Sequence, residues 1–136
     1  MVLREVTIDS VRSALMRGEW SLILKEKGAE RYLPIYMGPS QANIVKRELM
    51  GIRFSETETY ERFLAGDNIA GCKLESVIVE SSKNGDFHAK LLLTQGGDSF
   101  ETDCPVAAAT ALGFRRRAPI LVDESSFQEA GISLSN

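Results

Sequence analysis

The sequence predicts an α+β fold. It reads as one compact domain over residues 1–136, built mainly from antiparallel sheet with helices. The expected order is three strands, two helices, three strands, a helix, a strand and a helix. Three observations carry that expectation. Apolar residues alternate along several short stretches, the period of a half-buried strand, and turn residues separate those stretches. Between them the apolar spacing changes to three and four, the period of a helix. The chain has 136 residues, 43% hydrophobic and 26% charged, which suits a single hydrophobic core and excludes a disordered, collagen-like or disulfide-framework chain.

Each element has a local reason. Val2, Val6 and Ile8 fall at even spacing within residues 2–15 and predict the first strand. Residues 20–25 and 31–37 flank Glu26-Lys27-Gly28-Ala29-Glu30, where the glycine supplies a positive φ, so they form a hairpin. Pro34 cannot donate to a ladder and belongs at an edge or a bulge. After Gly38-Pro39, Ala42, Val45 and Leu49 share a helix face, with Lys46, Arg47 and Glu48 mostly on the other. Ser55 and Glu58 have capping-box spacing and start a second helix that turns Tyr60, Phe63 and Leu64 inward. Residues 74–80 and 87–94 are strands joined through Asn84-Gly85, a strong hairpin signal because both residues tolerate positive φ. Gln95-Gly96-Gly97-Asp98 turns into a strand with Phe100, Thr102 and Cys104 on one side. Pro105 suits a first helical turn, and the alanine-rich run 106–114 allows close approach to a sheet. Ile120-Leu121-Val122 is a short buried strand, and Ser125 or Ser126 caps a last helix ending at Gly131. Hairpin, proline and helix recur at 20–51 and 87–117, the pattern of an internal duplication.

The inventory also narrows the chemistry. Sixteen Lys and Arg against nineteen Asp and Glu leave a net charge of -3, so any nucleic-acid contact must come from a local patch. The single histidine, His88, excludes a multi-histidine metal site within one chain, and its strand position opposite Phe87, Ala89 and Leu91 reads as solvated. Cys72 and Cys104 form no CxxC pattern and read as buried, reduced thiols of a cytoplasmic protein. Apolar runs are short and residues 1–5 lack a secretory h-region, so no membrane partner is expected. No Walker, dinucleotide or Gly-x-Ser-x-Gly motif is present.

Carboxylates remain. Asp103 ends one predicted strand beside a helix start, and Asp123-Glu124 end another. Such a group suits a divalent cation, Mg or Mn, that neutralises phosphodiester charge and activates water. The plainer reading has Asp103 capping the next helix and Asp123-Glu124 solvated or facing a helix dipole. Arg115, Arg116 and Arg117 form a dense basic patch that either complements a helix C-terminus or grips phosphate with forked donors. The acidic segment Glu56, Glu58, Glu61 and Asp67 reads as a solvated helix face or as a partner for those arginines in another subunit.

In order and spacing, these strings resemble the bifunctional nuclease domain family over about residues 2–131: Thr7-Ile8-Asp9, residues 33–38 followed by Ala42, Gly51, Thr59, Phe87-His88-Ala89-Lys90-Leu91, Asp103, Ala109, Ala111, Leu112, Ala118-Pro119-Ile120, Val122 with Glu124, and Ala130-Gly131. The resemblance implies a compact α+β domain, commonly a homodimer, with nuclease activity on DNA and RNA. Carried over residue by residue, it implies Asp103 and Glu124 as metal ligands, Asp103 and Glu61 as catalytic groups, and Arg115 to Arg117 as phosphate contacts. The departures are specific. Where the family usually continues Ala-Arg-Pro-Ser-Asp-Ala after the matched aspartate, this chain reads Cys104 to Ala109. The Arg, Ser and second Asp are thus Pro105, Ala107 and Ala108. A family His is Tyr60, and a family Glu in the first helix is Gln41. Alanine neither ligates metal nor moves a proton. The alternative is therefore a non-catalytic dimeric binding or scaffold module of the same fold.

Overall fold

A computed structural model describes residues 2–13, 18–52, 59, 72–82 and 84–134. The strands are β1 (Leu3–Ser13), β2 (Trp20–Glu26), β3 (Arg31–Met37), β4 (Lys73–Ser81), β5 (Phe87–Gln95), β6 (Asp98–Cys104), β7 (Ile120–Asp123) and β8 (Ile132–Ser133). The helices among the described residues are α1 (Pro39–Leu49), α2 (Val106–Arg116) and α3 (Glu124–Ala130). The eight strands among the described residues form one sheet in the order β6-β5-β4-β7-β1-β2-β3-β8. Every neighbouring pair is antiparallel except β4 with β7, which is parallel because the chain returns through α2 before laying β7 beside β4. The α+β expectation holds. The helix expected from Ser55 lies outside the described residues, and β8 was not anticipated.

Turn chemistry sets the hairpins. Gly28 takes φ 78° between β2 and β3. Gly96 and Gly97 both take positive φ, 57° and 90°, so the primed two-residue turn lies between β5 and β6. At Asn84-Gly85 only the glycine does so, at φ 84°. The Gly85 N–H donates to the Ser82 carbonyl at 3.0 Å, and the Ser82 N–H donates to the Asp86 carbonyl at 2.7 Å. That loop is longer than a two-residue reversal, and Asn84 stays in ordinary φ. Pro34 faces Ile23 of β2 on a strand whose outer neighbour, β8, pairs only Arg31 and Tyr32. Its missing donor therefore falls on open edge.

The core lies between one face of the sheet and α1 with α2. Val6, Leu22, Leu24, Leu33, Val77, Val79, Leu91, Leu93 and Val122 point into it. Helix α1 buries Ala42, Ile44, Val45 and also Glu48, which the spacing had placed outward. Helix α2 buries seven consecutive residues, Ala107 to Gly113, because alanine lets its backbone sit close to β4 and β5. At Gly113 an added Cβ would lie 3.0 Å from Ile120 Cγ1 and 3.1 Å from Val77 Cγ2, so glycine there is a packing requirement. Asp123, rather than Ser125 or Ser126, occupies the N-cap position of α3, and both serine hydroxyls donate to its carboxylate. Cys72 and Cys104 are buried and are not joined in a disulfide.

Candidate functional site

Asp103 is the second-last residue of β6, directly opposite Lys90 of β5. Its neighbour Cys104 faces Ala89, and both are buried beneath the helices. Because strand side chains alternate, Asp103 and Lys90 project from the other face of the sheet. His88 shares that face and stands opposite Glu80 of β4. The His88 Nε2 lies 3.7 Å from Glu80 Oε1, and Lys90 Nζ lies 3.7 Å from the same oxygen. Three adjacent strands thus bring Glu80, His88, Lys90 and Asp103 into one patch. A hollow of about 500 Å³ opens beside it, lined by His88, Ala89, Asp103, Cys104 and Pro105.

The patch has distinct chemical parts. His88 is half exposed, so its imidazole reaches solvent, and the Glu80 carboxylate attracts it from one side. Lys90 supplies a cation, and Asp103 an exposed carboxylate at the mouth of the hollow. Sequence spacing placed His88 correctly on the solvated face but gave it no partner. Glu80 becomes visible only through the β4–β5 register, which the turn at residues 82–86 fixes.

The other candidates lie elsewhere. Glu124 opens α3 beyond β7, and between β6 and β7 stand β5 and β4, so about 14 Å of sheet separates its strand from that of Asp103. Its carboxylate is occupied. Arg31 Nη1 donates to Oε2 and Nη2 to Oε1, each at 2.7 Å, and Arg4 Nε donates to Oε1 at 2.8 Å. Those donors, Arg31 first, pull its pKa down to about 2. Arg31 also bonds Glu26 at 2.7 Å and stacks over Phe127, 4.5 Å from the ring centroid. Asp103 and Glu124 therefore do not fit a shared divalent cation, and no group of three or more His, Cys, Asp and Glu among the described residues could hold one. Glu61 lies outside the described residues. Asp103 does not cap α2, whose N-cap residue is Pro105.

Arg115 to Arg117 sit at the opposite end of α2, about 16 Å along its axis from Asp103. Arg115 holds Glu48 of α1, with Nη2 to Oε1 at 2.6 Å and Nε to the same oxygen at 3.1 Å, both side chains nearly buried. Arg116 and Arg117 are exposed. Ala107 and Ala108, standing where the resemblance expects Ser and Asp, are 1% and 0% exposed in the first turn of α2.

With the geometry in place, comparison with known proteins identifies the lineage. A family model described as the bifunctional nuclease domain matches residues 22–135. The chain belongs to the bifunctional nuclease domain family. Two curated relatives from Mycobacterium tuberculosis are Uncharacterized protein MT1877 (strain CDC 1551 / Oshkosh) and Uncharacterized protein Rv1829 (strain ATCC 25618). Each is 28% identical over 130 residues, covering 94% of this chain and 76% of the relative. No helix among the described residues is long and apolar enough to cross a membrane.

Proposed function

We propose that this bifunctional nuclease domain hydrolyses phosphodiester bonds of single-stranded DNA or RNA at the hollow beside His88, Lys90 and Asp103. Membership of the family supports the reaction class. The observation that carries the location is the Glu80-His88-Lys90-Asp103 patch, the place where a base, a cation and an exposed carboxylate meet. In this reading His88 takes the proton of an attacking water, with Glu80 orienting the imidazole. The new P–O bond forms as the bond to the leaving oxygen breaks. Lys90 offsets charge on the phosphoryl oxygens, the imidazolium returns its proton to the leaving oxygen, and Asp103 orients the water. Arg115 is committed to Glu48 and takes no part. The buried thiols, outside any disulfide, suit a reducing cytoplasm.

A quenched-fluorophore oligonucleotide, assayed with Mg, with Mn and with chelator, tests this. His88→Ala should lower cleavage by about a hundredfold and Asp103→Asn by at least about tenfold, with unchanged circular dichroism. Cleavage indifferent to both changes would remove the site.

One observation favours a second reading, a non-catalytic homodimeric module. Ala107 and Ala108, where the family Ser and Asp are replaced, are closed into the core, and the other sheet face carries half-buried Ile23, Ile78, Leu92 and Leu121. Sedimentation at twice the 15.0 kDa chain mass, without cleavage by the unaltered protein, would select it.

A further inference from the structure

A second cavity is remote from that patch. It is a groove of about 670 Å³ where the C-terminal ends of α1 and α2 approach β1 and the start of β7. Val6, Ile8, Pro119, Ile120 and Phe114 give it apolar walls, and the Phe114 ring is 47% exposed at the rim. A concave, mostly apolar space of this size with a few polar groups is the form of a small-molecule site.

Its charges mostly cancel. Glu48 and Arg115 neutralise one another across the helix pair. Glu5 is paired with Lys27 at 3.1 Å. Several carbonyls of the last turns already accept capping N–H groups: Lys46, Arg47 and Glu48 from Met50, Gly51 and Ile52, and Gly113 and Phe114 from Ala118 and Arg117. A cationic ligand would find these acceptors engaged. Arg117 is different. Its exposed side chain makes no hydrogen bond or ion pair with another described residue, and it lines the groove.

The backbone at Arg117 points the same way. The Ala118 N–H bonds to the Gly113 carbonyl at 2.9 Å and the Arg117 N–H to the Phe114 carbonyl at 3.3 Å, the paired bonds of a Schellman stop. Glycine normally fills the left-handed position of that motif, yet here arginine does, at φ 56°. Among described non-glycine residues it alone has positive φ. The stop thus places a left-handed conformation, unfavourable for an L-residue, on the cation at the lip of this apolar cavity.

We propose that this groove binds a small amphipathic anion, with an apolar, flat body laid along Val6, Ile8 and Ile120 beneath Phe114 and its carboxylate or phosphate held by the Arg117 guanidinium. The site is independent of the phosphodiester chemistry proposed above.

The full chain is titrated with 1-anilinonaphthalene-8-sulfonate, followed by fluorescence, and the dye is displaced by 1-naphthoate, 1-naphthalenemethanol, 1-naphthylmethylamine or adenosine monophosphate. Saturable 1:1 binding is expected, with naphthoate at least about tenfold stronger than the alcohol or the amine. Arg117→Gly should weaken naphthoate at least about tenfold while raising the melting temperature by about 3 °C, because glycine relieves the left-handed position. A merely structural arginine would give the second effect without the first. Ala118→Leu, which fills the groove, should abolish dye binding, and His88→Ala should leave it unchanged. Equal affinity for the neutral or cationic probe, preference for the nucleotide, or full naphthoate binding by Arg117→Gly would overturn the proposal.

Discussion

The two halves of the sheet use one plan and reach different ends. Outward from β7, one side runs β1-β2-β3 and the other β4-β5-β6. Each is an antiparallel meander followed by a proline and a helix of eleven residues on the same face. The recurrence read at 20–51 and 87–117 thus extends to a third strand in each half. The helices then diverge. Helix α1 alternates buried Ala42, Ile44 and Val45 with exposed Asn43 and Lys46, whereas α2 is buried without interruption from Ala107 to Gly113. One helix lies on the core, and the other is part of it. Replacement of family polar residues therefore has opposite meanings in the two halves: at Gln41 it alters a partly exposed position, and at Ala108 a closed one.

The largest expected effect comes from restoring the family residue in each half. Ala108→Asp puts a carboxyl at a fully buried position with no space or partner prepared. It should cost about 4 kcal/mol or more, most of a domain's stability, in urea unfolding. Gln41→Glu adds a negative charge to the first turn of α1 and should stay within about 0.5 kcal/mol. Comparable losses from both would mean that the two helix starts are equally closed.

A smaller contrast lies seven residues beyond each proline. Leu112 is fully buried, and Leu112→Ala should cost about 3 kcal/mol through lost burial and the cavity left behind. Lys46, its counterpart, lies exposed with its ammonium 5.1 Å from the centroid of the Trp20 ring, and Lys46→Ala should cost under about 1 kcal/mol.

Local spacing was enough for β1 to β7 and for α1, α2 and α3, because alternation, proline and glycine act within a few residues, whereas the two-residue β8 carries no such pattern. The arrangement of the site depended on contacts that spacing does not contain. Asp103 and Glu124 each end a strand, but they meet only if those strands are neighbours, and β5 and β4 stand between them. Glu48 sat on the outward side of a helical projection until α2, 67 residues away, brought Arg115 to it. The Glu80–His88 pairing was nearer to view. A hairpin turning at Asn84-Gly85 with the observed loop sets residue 80 across from 88, so the turn length carried information that face assignment alone did not use.

The halves also differ at their outer edges, which yields a pH test. On the β3 side the sheet is tied down by the Arg4-Arg31-Glu26-Glu124 network, whereas β6 is the last strand on the other side among the described residues. Glu124 is the carboxylate of that network that accepts hydrogen bonds from both Arg31 and Arg4. Its folded pKa is about 2, lowered by hydrogen bonds from Arg31 and then Arg4, while an unfolded glutamate titrates near 4.5. A depressed carboxyl pKa contributes stability that is complete above the unfolded value and is lost as pH falls towards the folded one. The urea midpoint should therefore fall between about pH 4.5 and about pH 2, and Glu124→Gln should flatten that part of the profile. A profile equally steep in Glu124→Gln would show that acid acts on the sheet through other carboxylates, and that the Arg31–Glu124 tie does not set the pH dependence of the β3 side.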